Sequence, residues 1–246
     1  MAVAIYPCKN MRITQGYTGS TSHLAHYKAG EWALDEGGKD TAKTEWFYAP
    51  FDLVVDRVYT AGTNTIFFHS QEKLMLPTGK EEHVCMLVTH PNSFGNLKAG
   101  SKVSAGTKLF QEGNDGASGY HFHFAVGLGT FKGNGWYKAS TGAWVINCTG
   151  GSVPLEQVFY VDQTFTNVID GRSAGKLLEW HYLTNVCKTT ANLNLWETPN
   201  DGKVLCVVPK GAQLLYYGLN RDGWHCVQYG KDKFGYVSPK YITNFM

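Results

Sequence analysis

Two histidines, His121 and His123, stand two residues apart at the end of a glycine-rich stretch, residues 113–124, that reads Gly-Asn-Asp-Gly-Ala-Ser-Gly-Tyr-His-Phe-His-Phe. On a strand, side chains alternate between faces, so the two imidazoles share one face while Phe122 and Phe124 fill the other. Imidazoles at the mouth of a strand need a partner for each buried nitrogen, and a metal ion, a water or a carboxylate can supply it. The chemistry open to such a pair is metal ligation or proton transfer. Upstream, His23 and His26 lie in a polar segment read as a loop, and Asp35 ends the apolar run Trp32-Ala33-Leu34. A carboxylate in that setting needs a cation or hydrogen-bond donors, or else it caps the Gly37-Gly38 turn that follows. His90 closes a run in which Val84, Met86 and Val88 share its face, and taken alone it is a turn histidine ahead of Pro91. His69, His83, His181 and His225 have no matching partner and read as surface or satisfied-core residues.

Strands must position these groups. Residues 51–59, 65–69, 83–89, 108–111 and 120–126 are apolar or β-branched, and Gly, Asn and Pro clusters bound them. Strands at this spacing, without long helices between, predict an antiparallel sheet or sandwich. Residues 154–160 predict one short helix, with Pro154 at its start and Leu155, Val158 and Phe159 on one side. Residues 71–82 form an insertion that predicts a hairpin loop. Near Asp170 the chain turns small and polar, as linkers do. From Ala191 on, five short strand-like runs separated by turns predict a small barrel. The expected organisation is therefore a mostly β chain: a first domain over 1–170, a linker over 171–186, and a small β-barrel over 187–246.

Composition excludes several classes. With 246 residues and 43% hydrophobic content the chain can build real cores. The net charge of +2 argues against a dedicated nucleic-acid binder. Residues 1–170 carry 13 Lys and Arg against 15 Asp and Glu, whereas residues 187–246 carry seven against four. A mildly basic tail suits an anionic polymer, and equally suits a plain solvated surface. The six cysteines are far apart, with no Cys-x-x-Cys, and do not make a disulfide framework. Cys85 and Cys226 read as buried thiols. No apolar run reaches the length needed to span a membrane, and the start lacks the pattern of a secretion signal. A cytoplasmic product with no membrane insertion is expected.

Over residues 12–150 the chain resembles the lysostaphin-like (LytM-like) zinc peptidases of cell-wall metabolism. The resemblance rests on Gln15-Gly16-Tyr17, Gly19-Ser20-Thr21-Ser22-His23, Ala33-Leu34-Asp35, Ala49-Pro50-Phe51, a strand ending in His90, Gly106 before Lys108-Leu109-Phe110, and the lead into His121-Phe122-His123-Phe124. In that family an upstream His, an Asp and the second His of the His-x-His pair bind one zinc ion. The resemblance thus implies Asp35 and His123 as ligands, with His121 and His90 as the catalytic pair. The usual His-x-x-x-Asp spacing would put Glu31 at the first ligand position. Some relatives place the histidine earlier, after a Gly-Ser-x-Ser lead, and that pattern fits His23; His26 and Glu31 remain alternatives. Two imidazoles and one carboxylate leave a fourth zinc position for water.

Residues 187–246 resemble bacterial SH3-type wall-binding domains through Leu193-Asn194-Leu195-Trp196, Pro209-Lys210-Gly211, Gly223-Trp224 and Gly235-Tyr236-Val237. Together the two resemblances imply a phage or prophage endolysin, made as a monomer in the host cytoplasm. It would act on bacterial peptidoglycan as an endopeptidase. A non-catalytic wall-binding scaffold and an amidase cutting between glycan and peptide are the other readings.

Overall fold

The computed structural model describes residues 2–38, 45–162, 164–170, 181–182, 185–199, 202–221, 223–230 and 233–243. Its centre is the strand Phe122–Leu128. Phe122, Phe124 and Val126 enter the main core beside Phe47, Phe68, Met86 and Val88, while Ala125 packs on the opposite face with Ala33, Phe67 and Leu87. The alternation read from the sequence is what separates these two sets.

That strand lies inside a nine-stranded sheet. The order is Lys102–Val103, Leu53–Tyr59, Thr65–Ser70, Val84–Thr89, Phe122–Leu128, Ala33–Glu36, Asn10–Gln15 and Asn167–Asp170, with Ser152–Val153 also paired to Phe122–Leu128. Every pairing is antiparallel except the last on the path, where Asn167–Asp170 runs parallel to Asn10–Gln15. The fold class is mostly β, as the spacing of strand signals predicts. His123 stands opposite Asp35 on one side and Thr89 on the other. One row across the sheet therefore aligns residues 35, 123 and 89.

Two local expectations are corrected. Residues 154–160 do not form a helix: only Leu155–Gln157 turn, as a 3-10 segment, and Phe159–Val161 is a strand pairing parallel with Ala4–Ile5. Leu155, Val158 and Phe159, expected on one helix face, are instead buried in the main core. Conversely, His23 and His26 are not in a loop. They belong to the helix Thr21–Lys28, whose N-cap Ser20 accepts a hydrogen bond from the His23 amide at 3.3 Å.

The 71–82 insertion is a short hairpin in which Leu74–Met75 pairs with Glu81–Glu82. Its Leu74, Met75 and Leu76 are buried. Toward the end of the chain, six strands form a second sheet, in the order Asn185–Lys188, Gln213–Arg221, Trp224–Tyr229, Lys233–Val237, Leu193–Trp196 and Val204–Val208. Leu193, Leu195, Val208, Leu214, Val227 and Val237 make its own core. The expected linker falls largely on residues 171–180 and 183–184, which lie outside the described residues. A further apolar cluster joins this six-stranded sheet to two smaller elements: Met75 of the 74–82 hairpin and Tyr160 of the strand Phe159–Val161 pack with Cys226 and Tyr236, the Tyr236 hydroxyl lying 3.8 Å from the Met75 sulfur. Cys85 and Cys226 are free and buried.

Candidate metal centre

The helix Thr21–Lys28 and the strand row described above bring three side chains together. Ligand atoms of His23, Asp35 and His123 all lie within 4.8 Å of one another. Asp35 Oδ1 is 3.0 Å from His23 Nε2 and 2.9 Å from His123 Nδ1. The three residues are buried, with His123 at the edge of the site at 9% exposure.

The orientation of His23 is set by the chain around it. Its Nδ1 donates to the Gly16 carbonyl at 2.9 Å, which leaves Nε2 as the working nitrogen. Gly16 is held in place by its neighbour Tyr17, whose buried hydroxyl accepts from the Leu155 amide at 2.8 Å and pairs with Glu156. His23 Nε2, though 3.0 Å from the carboxylate, makes no hydrogen bond of acceptable geometry. A fully buried ring nitrogen facing a carboxylate oxygen in this way lacks a partner that a shared cation would supply. Burial opposes charge on both Asp35 and His23. The His123 and His23 contacts nevertheless outweigh burial and hold the Asp35 carboxyl well below the usual carboxylate range. For His23 the Asp35 contact outweighs burial and raises its pKa. The donor set of two imidazoles and one ionised carboxylate suits zinc.

The other two candidate histidines stand beside this group. His121 Nε2 is 3.7 Å from Asp35 Oδ2, and its Nδ1 donates to the Gly119 carbonyl at 2.9 Å. His90 Nδ1 donates to the Asp115 carbonyl at 2.7 Å. The rings of His90 and His121 are 4.5 Å apart between centroids, and His90 is 6.0 Å from the His123 ring. In both, the same tautomer logic frees Nε2. Burial pushes His90 down to about 4, against the pull of the Asp115 carbonyl, so the ring is neutral near pH 7.

His90 has a φ of 82°, and among the described residues no other non-glycine has a positive φ. Such a backbone costs of order 1 kcal/mol and persists only where its surroundings fix it. Here the Asp115 amide donates to the His90 carbonyl at 3.1 Å, and the His90 amide donates to the Asn64 carbonyl at 3.0 Å. Gly113 packs directly against the same segment, since a Cβ there would fall 2.3 Å from the His90 carbonyl oxygen. Asp115, Asn64 and Gly113 therefore place His90, and Gly16 and Tyr17 place His23. None of these five was singled out as a site residue from the sequence. The sequence signals for them are the Gly-rich lead, the Gln-Gly-Tyr segment and, for Asn64, the Gly/Asn cluster that bounds the 65–69 strand.

The remaining alternatives, His26 and Glu31, are paired with each other rather than with Asp35. His26 Nδ1 contacts Glu31 Oε2, and Glu31 Oε1 accepts from the Ile146 amide. The His26 ring is 5.1 Å from that of His123. Away from the site, His69 pairs with Asp56 at 2.7 Å.

The fold and site define a mostly β protein with a His/Asp group able to hold a metal ion. No family model matches the chain, and no curated protein does so either. Among solved structures, Csd3 of Helicobacter pylori is 18% identical, with a TM-score of 0.36, over 62% of this chain and 35% of that one. A putative glycyl-glycine endopeptidase LytM from Ruminococcus gnavus is 16% identical, with a TM-score of 0.36, over 60% of this chain and 57% of that one. The antimicrobial peptidase lysostaphin of Staphylococcus simulans is 12% identical, with a TM-score of 0.30, over 83% of this chain and 77% of that one. The chain thus spans about a third to just over half of the first two. Likeness at this level assigns no activity to this chain.

Proposed function

We propose that this chain is a zinc-dependent peptidoglycan hydrolase, an endopeptidase that cuts stem-peptide or cross-bridge bonds of the bacterial wall. The observation that carries the reading is the convergence of His23, Asp35 and His123 within 4.8 Å, with His90 and His121 beside them. His23, Asp35 and His123 would hold one zinc ion per chain. When bound, zinc supplies Lewis acidity toward a carbonyl and makes a water nucleophilic near neutral pH.

The protein's own part is positioning and proton transfer. With Nδ1 of His90 and of His121 spent on backbone carbonyls, proton traffic on both rings runs through Nε2. A neutral ring accepts a proton there and a protonated ring returns it. We assign His121, nearer Asp35, to receiving the proton or orienting the water. His90 is assigned to stabilising charge that develops on the substrate oxygen, which its ring does once Nε2 carries a proton; with Nε2 unprotonated the same ring is the proton acceptor, so the two roles exchange without a change of geometry. The strained His90 backbone fits a group whose placement is fixed in advance.

The unit over residues 187–246 is read as an SH3-type module that holds the enzyme on the wall and raises its local concentration. In this reading the protein is a monomeric phage or prophage endolysin, stored in the host cytoplasm and active on the wall. That no described helix is long and apolar enough to cross a membrane is compatible with it. The test is a digest of purified walls with and without a chelator, followed by mass spectrometry of the fragments. New peptide amino termini that vanish with chelator are expected. Cleavage between glycan and peptide would instead make the enzyme an amidase, and no cleavage with a metal-free protein would leave a wall-binding scaffold.

A further inference from the structure

The helix Thr21–Lys28 presents two histidines, three residues apart and therefore on one face. His23 belongs to the group with Asp35 and His123. Ligand atoms of His26, Glu31 and His123 form a second group that also lies within 4.8 Å. This second set repeats the donor composition of the first, two imidazoles and one carboxylate, and the two sets share His123. The ring centroids reflect the overlap: His123 is 5.2 Å from His23 and 5.1 Å from His26.

A buried ion pair is the plainer account of Glu31 and His26. Glu31 is only 1% exposed, and a carboxylate there is costly unless its oxygens are satisfied, which the Ile146 amide and the His26 ring achieve. That account explains Glu31 but not where His26 is aimed. The His26 ring stands 5.1 Å from that of His123, and with the Glu31 carboxylate the three residues bring two imidazoles and one carboxylate within ligand distance of one another. His26 is also the more accessible of the two helix histidines, with 16% of its side chain exposed against 2% for His23.

We propose that His26, Glu31 and His123 form a second position for the divalent cation, an alternative to the one at His23, Asp35 and His123. Because His123 is common to both, the two positions fill one at a time and the wild-type chain carries a single ion. The inference rests on the zinc reading above and extends it. The second position faces solvent through His26 and is where an arriving ion first meets three protein donors.

The test measures zinc itself. Purified full-length protein is loaded with zinc, dialysed, and assayed for metal per chain by mass spectrometry and by chelator competition, with circular dichroism as the check on folding. Wild type is expected to hold one zinc. Asp35→Ala removes the first set, and it is expected still to hold one zinc, more weakly. Asp35→Ala combined with Glu31→Gln is expected to fall from one zinc to none. Glutamine keeps an acceptor for the Ile146 amide, so the double variant tests the donor set rather than the local fold. Should Asp35→Ala not fold, His23→Ala and His23→Ala/Glu31→Gln make the same comparison. No zinc in the folded single variant, or one zinc retained in the double variant, overturns the second position. Absence of zinc from the wild type would instead overturn the zinc reading of the site itself.

Discussion

Gly113→Ala tests whether the His90–His121 pair is fixed by a close backbone approach. A Cβ at residue 113 would lie 2.3 Å from the His90 carbonyl oxygen, 2.4 Å from the Asn92 amide nitrogen and 2.8 Å from Asn92 Oδ1. Ordinary contact begins at 3.4 Å, and two of the three atoms are backbone, so no side-chain rotation relieves the clash. The His90 segment must retreat from residue 113 by about 1 Å, and a displacement of that size in a catalytic constellation costs on the order of 100-fold in rate. Gly113 cannot yield instead, because its carbonyl accepts the His121 amide at 3.0 Å and any retreat drags His121 with it. Overpacking costs a further 1–3 kcal/mol or so of stability. The proposed ligands His23, Asp35 and His123 are not among the atoms a Cβ at residue 113 would meet first, so zinc content should stay near one per chain. The assay is the initial rate of turbidity loss in a purified-wall suspension, beside zinc content and a thermal melt. A folded variant with wild-type zinc and a lysis rate within twofold of wild type would refute the positioning argument. Loss of zinc along with activity would show that the strain is not confined to His90 and His121.

Three further outcomes follow from the same geometry. His90→Ala and His121→Ala should each keep about one zinc per chain while wall lysis falls by roughly 100- to 10,000-fold, the range for losing a proton-transfer group; lysis near the wild-type rate in either removes that residue from the mechanism. Glu36 is fully buried behind Asp35, with Oε2 unpartnered, and burial together with Glu45 raises its pKa well above the ordinary 4.5. A carboxyl raised in this way takes up a proton on folding, so its contribution to stability falls as pH rises from about 4.5 toward the folded value. Glu36→Gln should therefore raise the melting temperature at pH 7 and leave it unchanged near pH 4; a lower melting temperature at pH 7 would contradict the burial argument. Tyr236→Ala removes a side chain 1% exposed from the cluster that joins the six-stranded sheet to the 74–82 hairpin and the Phe159–Val161 strand, a loss of roughly 3–5 kcal/mol by the usual cost of deleting a buried aromatic. Limited proteolysis should then cut the chain ahead of the six-stranded sheet faster than in wild type, and equal cutting would mean that the cluster does not hold these elements together.

The parts of this site that were legible in the sequence are those governed by strand periodicity. The His121-Phe122-His123-Phe124 alternation already places two imidazoles opposite two core phenylalanines, and an Asp closing an apolar run is conspicuous because carboxylates rarely end there. What stayed hidden depends on contacts across the chain. The helix Thr21–Lys28 is eight residues long and buries only His23, so it carries almost no apolar periodicity, and its one local mark is the Ser20 cap. Without the helix the three-residue spacing of His23 and His26 has no meaning. The pairing of His26 with Glu31 and the overlap of two donor sets at His123 are then invisible. The error at residues 154–160 has the same origin. Pro154 and the apolar residues after it satisfy a helix pattern, but Phe159–Val161 gains more by completing a sheet with Ala4–Ile5 than a single isolated turn of helix could offer. His90 makes the point at one residue: its local sequence is that of a turn, and only the approach of Gly113 and Asp115, more than twenty residues away, converts that turn into a fixed, strained imidazole beside His121.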